Sequence, residues 1–287
     1  EDLSLKDIKK FWPDKAPDIK NVSKYVSKYK EDKIVIKCGG NVLIDPELFK
    51  NFIDDVVVLN KLGLTTIIVH GGGPRIKNKL HELGIESKFI RGLRVTDKKI
   101  IEIVENVLIE FNKEIASALK DQNCNTKRIT SKEVNIMIVK RVSDDLGFVG
   151  TPYNINTDIL KKIIQSNEVP IIAPLGLNEK DQTFNINADT AAGSLAKALK
   201  ARRLLIVSDV EGVLDQNNKL ITEINSNMAK EMVDKGIISG GMIPKIHNCL
   251  DVASNGVKGV VIIDGRKNHS ILFELLSDKG SGTLIRK

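Results

Sequence analysis

The sequence predicts an α/β fold: a three-layer αβα open, mostly parallel sheet with two lobes and an N-terminal helical arm. Three observations predict it. Five short β-branched runs recur along the chain, stretches with apolar residues at helical spacing separate them, and two of the runs end directly in clusters of glycine. Strands that alternate with helices build parallel sheets covered on both faces, and such buried strands read as continuous Val and Ile.

The elements follow in order. Leu5, Ile8 and Phe11 mark one short helix, and Ile19, Val22, Val26 and Tyr29 share one stripe of a second, with Pro13 and Pro17 between them. No sheet element precedes this arm, so its stripe is expected to pack either on its own domain or on a neighbouring subunit. The runs KIVIK from Lys33, TTIIVH from Thr65, VPIIAP from Val169, RLLIVSD from Arg203 and KGVVIID from Lys258 are the expected strands. Helices are expected over Leu48 to Leu62, Lys98 to Leu119, Asp158 to Gln165, Ala188 to Lys200, Ser226 to Lys235 and Lys245 to Ser254. VNIMIVKRVSDDLGFVG, from Val134, breaks the rhythm and reads as a β-hairpin excursion on the rim.

In TTIIVHGGGPRI a strand over Ile67 to Val69 runs into Gly71, Gly72 and Gly73, and Pro74 opens a helix that continues through Ile76, Leu80 and Leu83. Such a loop offers backbone N–H groups near the positive end of a helix, a site for phosphate or carboxylate; it also serves as a plain βα connection. KIVIKCGGNVL repeats the arrangement, with Lys37 at the strand end and Gly39, Gly40 and Asn41 in the turn. Both loops lie at the carboxyl edge of the sheet, where ligands bind in open α/β folds. Neither fits GxxxxGK[ST] or GxGxxG.

Two further segments carry chemistry. FNINAD places Asn185, Asn187 and Asp189 before a helix, and SGGMIPK places Gly240, Gly241 and Lys245 at the head of another. Taken singly, Asp189 suits a helix cap and Lys245 an exposed first turn. A lysine at a helix N-terminus opposes the dipole, however, so Lys245 is better explained by a nearby anion.

Composition narrows the class. The 287 residues suffice for one large domain or two lobes. No run of about 18 apolar residues is present and the charged opening EDLSLKDIKK has no signal-peptide core, so no membrane association and a cytoplasmic location are expected. Cys38, Cys124 and Cys249 lack CxxC spacing, and His70, His81, His247 and His269 are scattered, which argues against disulfides and a protein-held metal. The net charge of +7 raises nucleic acid as a partner, but the basic residues are spread along helix faces and aromatics are few, so an anionic small substrate is expected instead.

The motifs KxGGN, HGGGP, RGLRVTD, NINAD, SDVEGVL and GGMIPK, in this order between Lys33 and Ile285, resemble the amino acid kinase family, and HGGGP followed by RGLRVTD resembles its acetylglutamate kinases. The resemblance implies transfer of the γ-phosphoryl of MgATP to the side-chain carboxylate of N-acetyl-L-glutamate. It implies that Lys37 and Lys245 grip the transferring group, that Asp189 orients both ammonium groups, and that the N–H groups of Gly40 and Gly73 bind phosphoryl oxygens. It implies an acceptor site of Gly72, Gly73, Arg94 and Asn185, with Arg94 on the α-carboxylate rather than paired with Asp97. Ser208, Asp209, Glu211, Gly212, Gly240 and Gly241 would form the nucleotide side, with Mg2+ carried on the ATP phosphates.

The tail DGRKNHSILFELLSDKGSGTLI and the N-terminal extension resemble the arginine-inhibited group. There Tyr25, His269, Glu274, Gly280 and Gly282 would form an L-arginine effector site, and the arms would link dimers into a hexamer, a trimer of dimers. In some relatives a signalling protein relieves this inhibition. The implied division is an arm over 1–30, an acceptor lobe over 31–200 and an ATP-binding lobe over 201–287. Two other readings are open at this point: a kinase for the one-methylene-longer N-acetyl-aminoadipate, and a non-catalytic arginine-sensing subunit.

Overall fold

The structure is a computed structural model that describes residues 3–287. The chain runs α1 (Leu5–Lys9), α2 (Val22–Tyr29), β1 (Lys33–Cys38), α3 (Pro46–Lys61), β2 (Thr65–His70), α4 (Gly73–Glu82), β3 (Phe89–Ile90), β4 (Leu93–Arg94) and α5 (Lys98–Lys120). It continues through β5 (Thr126–Ile129), β6 (Met137–Arg141), β7 (Val149–Ile155), α6 (Thr157–Gln165), β8 (Val169–Ile172), β9 (Leu175–Leu177), β10 (Thr183–Ile186) and α7 (Ala188–Leu199). The last part holds β11 (Arg203–Ser208), β12 (Val213–Leu214), β13 (Leu220–Ile221), β14 (Glu223–Ile224), α8 (Ser226–Asp234), α9 (Met242–Ser254), β15 (Gly259–Asp264), α10 (Ser270–Leu276) and β16 (Gly282–Ile285).

Eight strands form the central sheet in the order β14-β16-β15-β11-β1-β2-β8-β5, parallel except where β16 runs antiparallel to β15. All five expected strands are present. Because side chains alternate across a strand, neighbours in a β-branched run enter different cores. Ile34 and Ile36 pack with Ile68, Leu205 and Val261 under α3, α5 and α10, whereas Val35 packs with Ile67, Ile206 and Val260 under α7 and α9. This is the three-layer arrangement. β1 at its centre has Ile34, Val35 and Ile36 fully buried.

Much of the arm packs on its own domain. Val22, Tyr25 and Tyr29 are buried in the same core as α3 and α10, and Ile8 joins them. Each such side chain contributes about 1.5–3 kcal/mol of burial. Ile19 and Val26 of the expected stripe stay partly exposed, Val26 beside a groove that Leu3, Lys61 and Leu62 also line.

The hairpin over β6 and β7 forms as expected but is not free-standing. β9 and β10 close it into a small barrel, β10 pairing parallel with β7 and β6 parallel with β9. This barrel delivers Asn185 and, just after it, α7 to the carboxyl edge of β1 and β2. Among the described residues no helix is long and apolar enough to cross a membrane.

Candidate active site

At the carboxyl edge a cavity of about 250 Å³ is lined by Lys37, Gly39 and Gly40 of the first loop, Gly71 to Gly73 of the second, Arg94, Asn185 and Ala188. The first loop turns on Gly40, whose φ of 68° places it in the left-handed region. A Cβ on Gly40 would stand 2.5 Å from Oδ1 of Asp209, so β11 presses against the turn. The same oxygen accepts the Asn41 N–H at 2.8 Å.

Helix starts differ in their caps. Asp45, Asp97, Asn187 and Asn225 cap α3, α5, α7 and α8 through their side chains. The two glycine-led helices, α4 behind Gly72 and α9 behind Gly241, have no side-chain cap. Away from the cavity, α2 and α10 also lack one. At the head of α4 the Gly72 and Gly73 N–H groups have no acceptor among the described residues and are open to an anion, whereas in α9 the Met242 and Ile243 N–H groups already donate to the Ser239 and Gly240 carbonyls at 3.2 Å. Asp189 is in the first turn of α7, while Asn187 is its actual cap, donated to by Thr190 N–H at 3.0 Å.

Asp189 joins the two lysines. Lys37 Nζ lies 3.1 Å from Oδ1 and Lys245 Nζ 2.9 Å from Oδ2, with all three side chains largely buried. Burial alone would raise the Asp189 carboxyl, but the Lys37 and Lys245 ammonium groups outweigh it and hold the group well below the ordinary carboxylate range. At neutral pH an ionised carboxylate thus holds two cations, and the cluster has a net positive charge where an anion would enter.

Arg94 adds a third cation, in the lining of the same cavity as Lys37. Its guanidinium donates to Ser87 Oγ at 2.7 Å and to the Gly73 carbonyl at 3.4 Å, and lies 4.8 Å from the centre of the Phe89 ring. Asp97 is not its partner: that carboxylate accepts the Ile100 N–H at 2.8 Å as the cap of α5. Among the described residues no carboxylate pairs with Arg94, although burial disfavours its charge. A buried guanidinium without an anion is arranged for one that arrives with a ligand.

A sequence profile described as the amino acid kinase family matches residues 32–264. The chain belongs to the amino acid kinase family. An acetylglutamate kinase from Pelagibacter ubique is 67% identical over 275 residues, covering 96% of this chain and 96% of that protein. One from Ruegeria pomeroyi is 41% identical over 286 residues, covering 99% and 100%. Among solved structures, N-acetylglutamate synthase from Neisseria gonorrhoeae, complexed with coenzyme A and N-acetyl-glutamate, is similar with a TM-score of 0.85 at 21% identity over 93% of this chain. This chain spans 62% of that longer one, and the likeness is one of fold.

Within this amino acid kinase the expected nucleotide set is dispersed around the ends of β11 and α9 and does not line the cavity. Asp209 supports the first glycine loop as described. Ser208 Oγ donates to the Ile263 carbonyl at 3.2 Å, and Glu211 pairs with Lys267 at 3.1 Å. Gly212 is packed against Thr283, whose Oγ1 accepts the Val213 N–H at 2.9 Å. Gly240 and Gly241 lead into α9, one turn ahead of Lys245.

The tail residues divide. Tyr25 donates its hydroxyl hydrogen to Asp278, and Glu274 accepts the Ser281 N–H at 2.6 Å beside Gly280. Burial raises the Glu274 carboxyl above its ordinary range. Gly282 opens β16 against the Ile262 carbonyl. His269 is turned elsewhere, its Nδ1 2.6 Å from Oδ1 of Asp55 on α3. Sequence reasoning missed Ser87 and Phe89 around Arg94, and Lys28 near Glu274. Lys28 follows Tyr25 by three positions on α2, a helical spacing that pointed to it.

Proposed function

We propose that this chain phosphorylates the side-chain carboxylate of N-acetyl-L-glutamate with ATP, giving N-acetyl-L-glutamyl 5-phosphate for arginine biosynthesis. The observation that carries the reading is the Lys37–Asp189–Lys245 cluster, whose Lys37 lines a small cavity that also holds the Arg94 guanidinium, without a carboxylate partner among the described residues. The 67% identical relative named acetylglutamate kinase supports the choice of acceptor.

A carboxylate oxygen attacks the γ-phosphorus, the bond from that phosphorus to the bridging oxygen breaks, and the electron pair leaves with ADP. No proton moves, because the acceptor is already ionised at neutral pH. The obstacle is charge: two unit anions 4 Å apart repel by about 4 kcal/mol at an effective dielectric constant near 20. Lys37 on the acceptor side and Lys245 on the nucleotide side meet that charge as it spreads over the equatorial oxygens. The N–H groups of Gly40 and Gly73 add oriented donors. Arg94 takes the α-carboxylate bidentately, and Asn185 meets the acetamido region. Mg2+ fits as an ion carried by the phosphates and water, since the carboxylate nearest the transfer point is already neutralised by two lysines. The division follows: residues 31–200 hold the acceptor, 201–287 the nucleotide and the effector.

We further propose that L-arginine inhibits through Tyr25, Glu274, Gly280 and Gly282, with His269 held by Asp55 at the start of α10, and that the arm over 1–30 joins dimers into a hexamer. A half-buried carboxylate such as Glu274 is suited to a guanidinium. The test is ATP turnover with N-acetyl-L-glutamate, glutamate, aspartate and N-acetyl-aminoadipate, each with and without arginine. Turnover on N-acetylglutamate that arginine suppresses supports both readings. Preference for the aminoadipate analogue would replace the acceptor, a discrimination worth about 1–3 kcal/mol for one methylene. Binding without turnover would leave a sensing subunit.

A further inference from the structure

We propose that His70, set by a buried relay from Arg128 through Asn112, is the positioning residue that aims the Gly72 N–H into the acceptor cavity. The inference rests on the reading of that cavity as the acceptor site. His70 ends β2 and is fully buried. Its Nδ1 lies 2.9 Å from the Gly71 carbonyl oxygen, and its Nε2 lies 3.2 Å from Nδ2 of Asn112.

The partners of Asn112 decide which ring nitrogen holds the proton. Asn112 Nδ2 donates to the Ile171 carbonyl at 2.9 Å, and its Oδ1 accepts the Nε–H of Arg128 at 3.0 Å. A carbonyl can only accept and a guanidinium can only donate, so the amide has one orientation. Its NH2 group therefore faces Nε2, which must accept. The proton is on Nδ1 and is donated to Gly71. Burial pushes the imidazole down to about 4, so at neutral pH the ring is uncharged and has this single tautomer.

The consequence passes through one peptide plane. The Gly71 carbonyl and the Gly72 N–H belong to the same trans unit and point in opposite directions. Holding the carbonyl toward the buried imidazole turns the N–H to the side where the glycines line the cavity. The preceding peptide is pinned too, since the Gly71 N–H donates to the Cys38 carbonyl at 2.8 Å, one residue beyond Lys37. Among the described residues the Gly72 N–H has no acceptor. A Cβ at Gly72 would lie 2.3 Å from Cδ2 of Leu108, so the loop can shift little to find another. A histidine that merely filled the core would not need its tautomer fixed from outside.

The experiment compares wild type with His70→Leu, His70→Asn and Asn112→Leu in steady-state kinetics for N-acetylglutamate and ATP. Thermal unfolding is followed by circular dichroism, and the imidazole nitrogens of the 15N-labelled wild type by NMR. The expected result is a fall in kcat/KM for the acceptor on the order of 10- to 100-fold in His70→Leu, with KM for ATP unchanged. His70→Asn, whose amide can take the place of Nδ1, recovers most of it, and wild-type His70 is neutral with its proton on Nδ1. A folded leucine variant with wild-type acceptor kinetics overturns the proposal, and so does a proton on Nε2. Should His70→Leu not fold, the tautomer and Asn112→Leu decide: Nδ1–H with weakened acceptor kinetics supports the relay, and Nε2–H or unchanged kinetics overturns it. Wild-type turnover in the same assay tests the activity separately; without it the function falls and the tautomer alone judges the relay.

Discussion

Lys37 and Lys245, supplied by the first strand of the sheet and a helix near the end of the chain, approach different oxygens of one carboxylate at 3.1 and 2.9 Å. Two ammonium groups this close repel unless an anion lies between them, so Asp189 is what permits the pair. Asp189→Asn is expected to lower kcat by about 100-fold or more, with smaller changes in either KM. Steady-state kinetics check it.

The same carboxylate makes a prediction on the acid side. Its folded-state pKa is depressed by the two lysines. The stability it contributes is complete above the unfolded-state value of about 3.9 and is lost as pH falls below it. Thermal unfolding of the wild type should therefore lose more on acidification below about pH 4 than that of Asp189→Asn. Parallel curves for the two proteins would contradict the assignment.

Arg94→Lys keeps the charge but loses the planar fork. The expected outcome is KM for N-acetylglutamate raised by about 10- to 100-fold, from loss of about 1.5–3 kcal/mol of charged hydrogen bonding, with KM for ATP unchanged. An equal rise in both constants would assign Arg94 to general integrity instead of acceptor binding.

Gly40→Ala forces a Cβ to 2.5 Å from Asp209 Oδ1 at a φ of 68°. The loop must move, so kcat should fall together with a stability loss of about 1–3 kcal/mol. Urea unfolding and kinetics on one preparation test it, and wild-type values in both would refute the close packing of β11 on this turn.

His269 makes the opposite pH prediction. The Asp55 carboxylate raises its pKa above the ordinary imidazole value. That contribution is complete below about pH 6.5 and is lost as pH rises through the raised value. Tm should decline from neutral into mildly alkaline solution in the wild type, and His269→Gln should flatten the decline.

Much of this was legible in the amino-acid sequence because burial on both faces leaves a strong mark. Ile34 to Ile36 and Val260 to Ile263 read as central strands and are. The sheet edges did not read. Thr126–Ile129 is short and carries Lys127 and Arg128, as suits an edge strand with one neighbour. Gly282–Ile285 lay inside a segment read for its effector glycines and is also the antiparallel neighbour of β15. The short strands Leu175–Leu177 and Thr183–Ile186, which close the hairpin into a barrel, gain their form from partners distant in the chain and not from local preference. At the site, lysines and glycines stood out by type. Ser87, Phe89, Asn112 and Arg128 did not, because what they do depends on who faces them.

The position of β1 has a consequence for how the protein comes into being. Its partner on one side, β2, emerges from the ribosome soon afterwards, while β11 on the other side ends only at Ser208. At about 5–20 residues per second β1, with Ile34 to Ile36 meant for full burial, waits on the order of ten seconds or more with one edge unpaired. Nascent chains stalled before Ser208 should be the ones that chaperones hold and that aggregate first, and release of a few residues more should end that dependence.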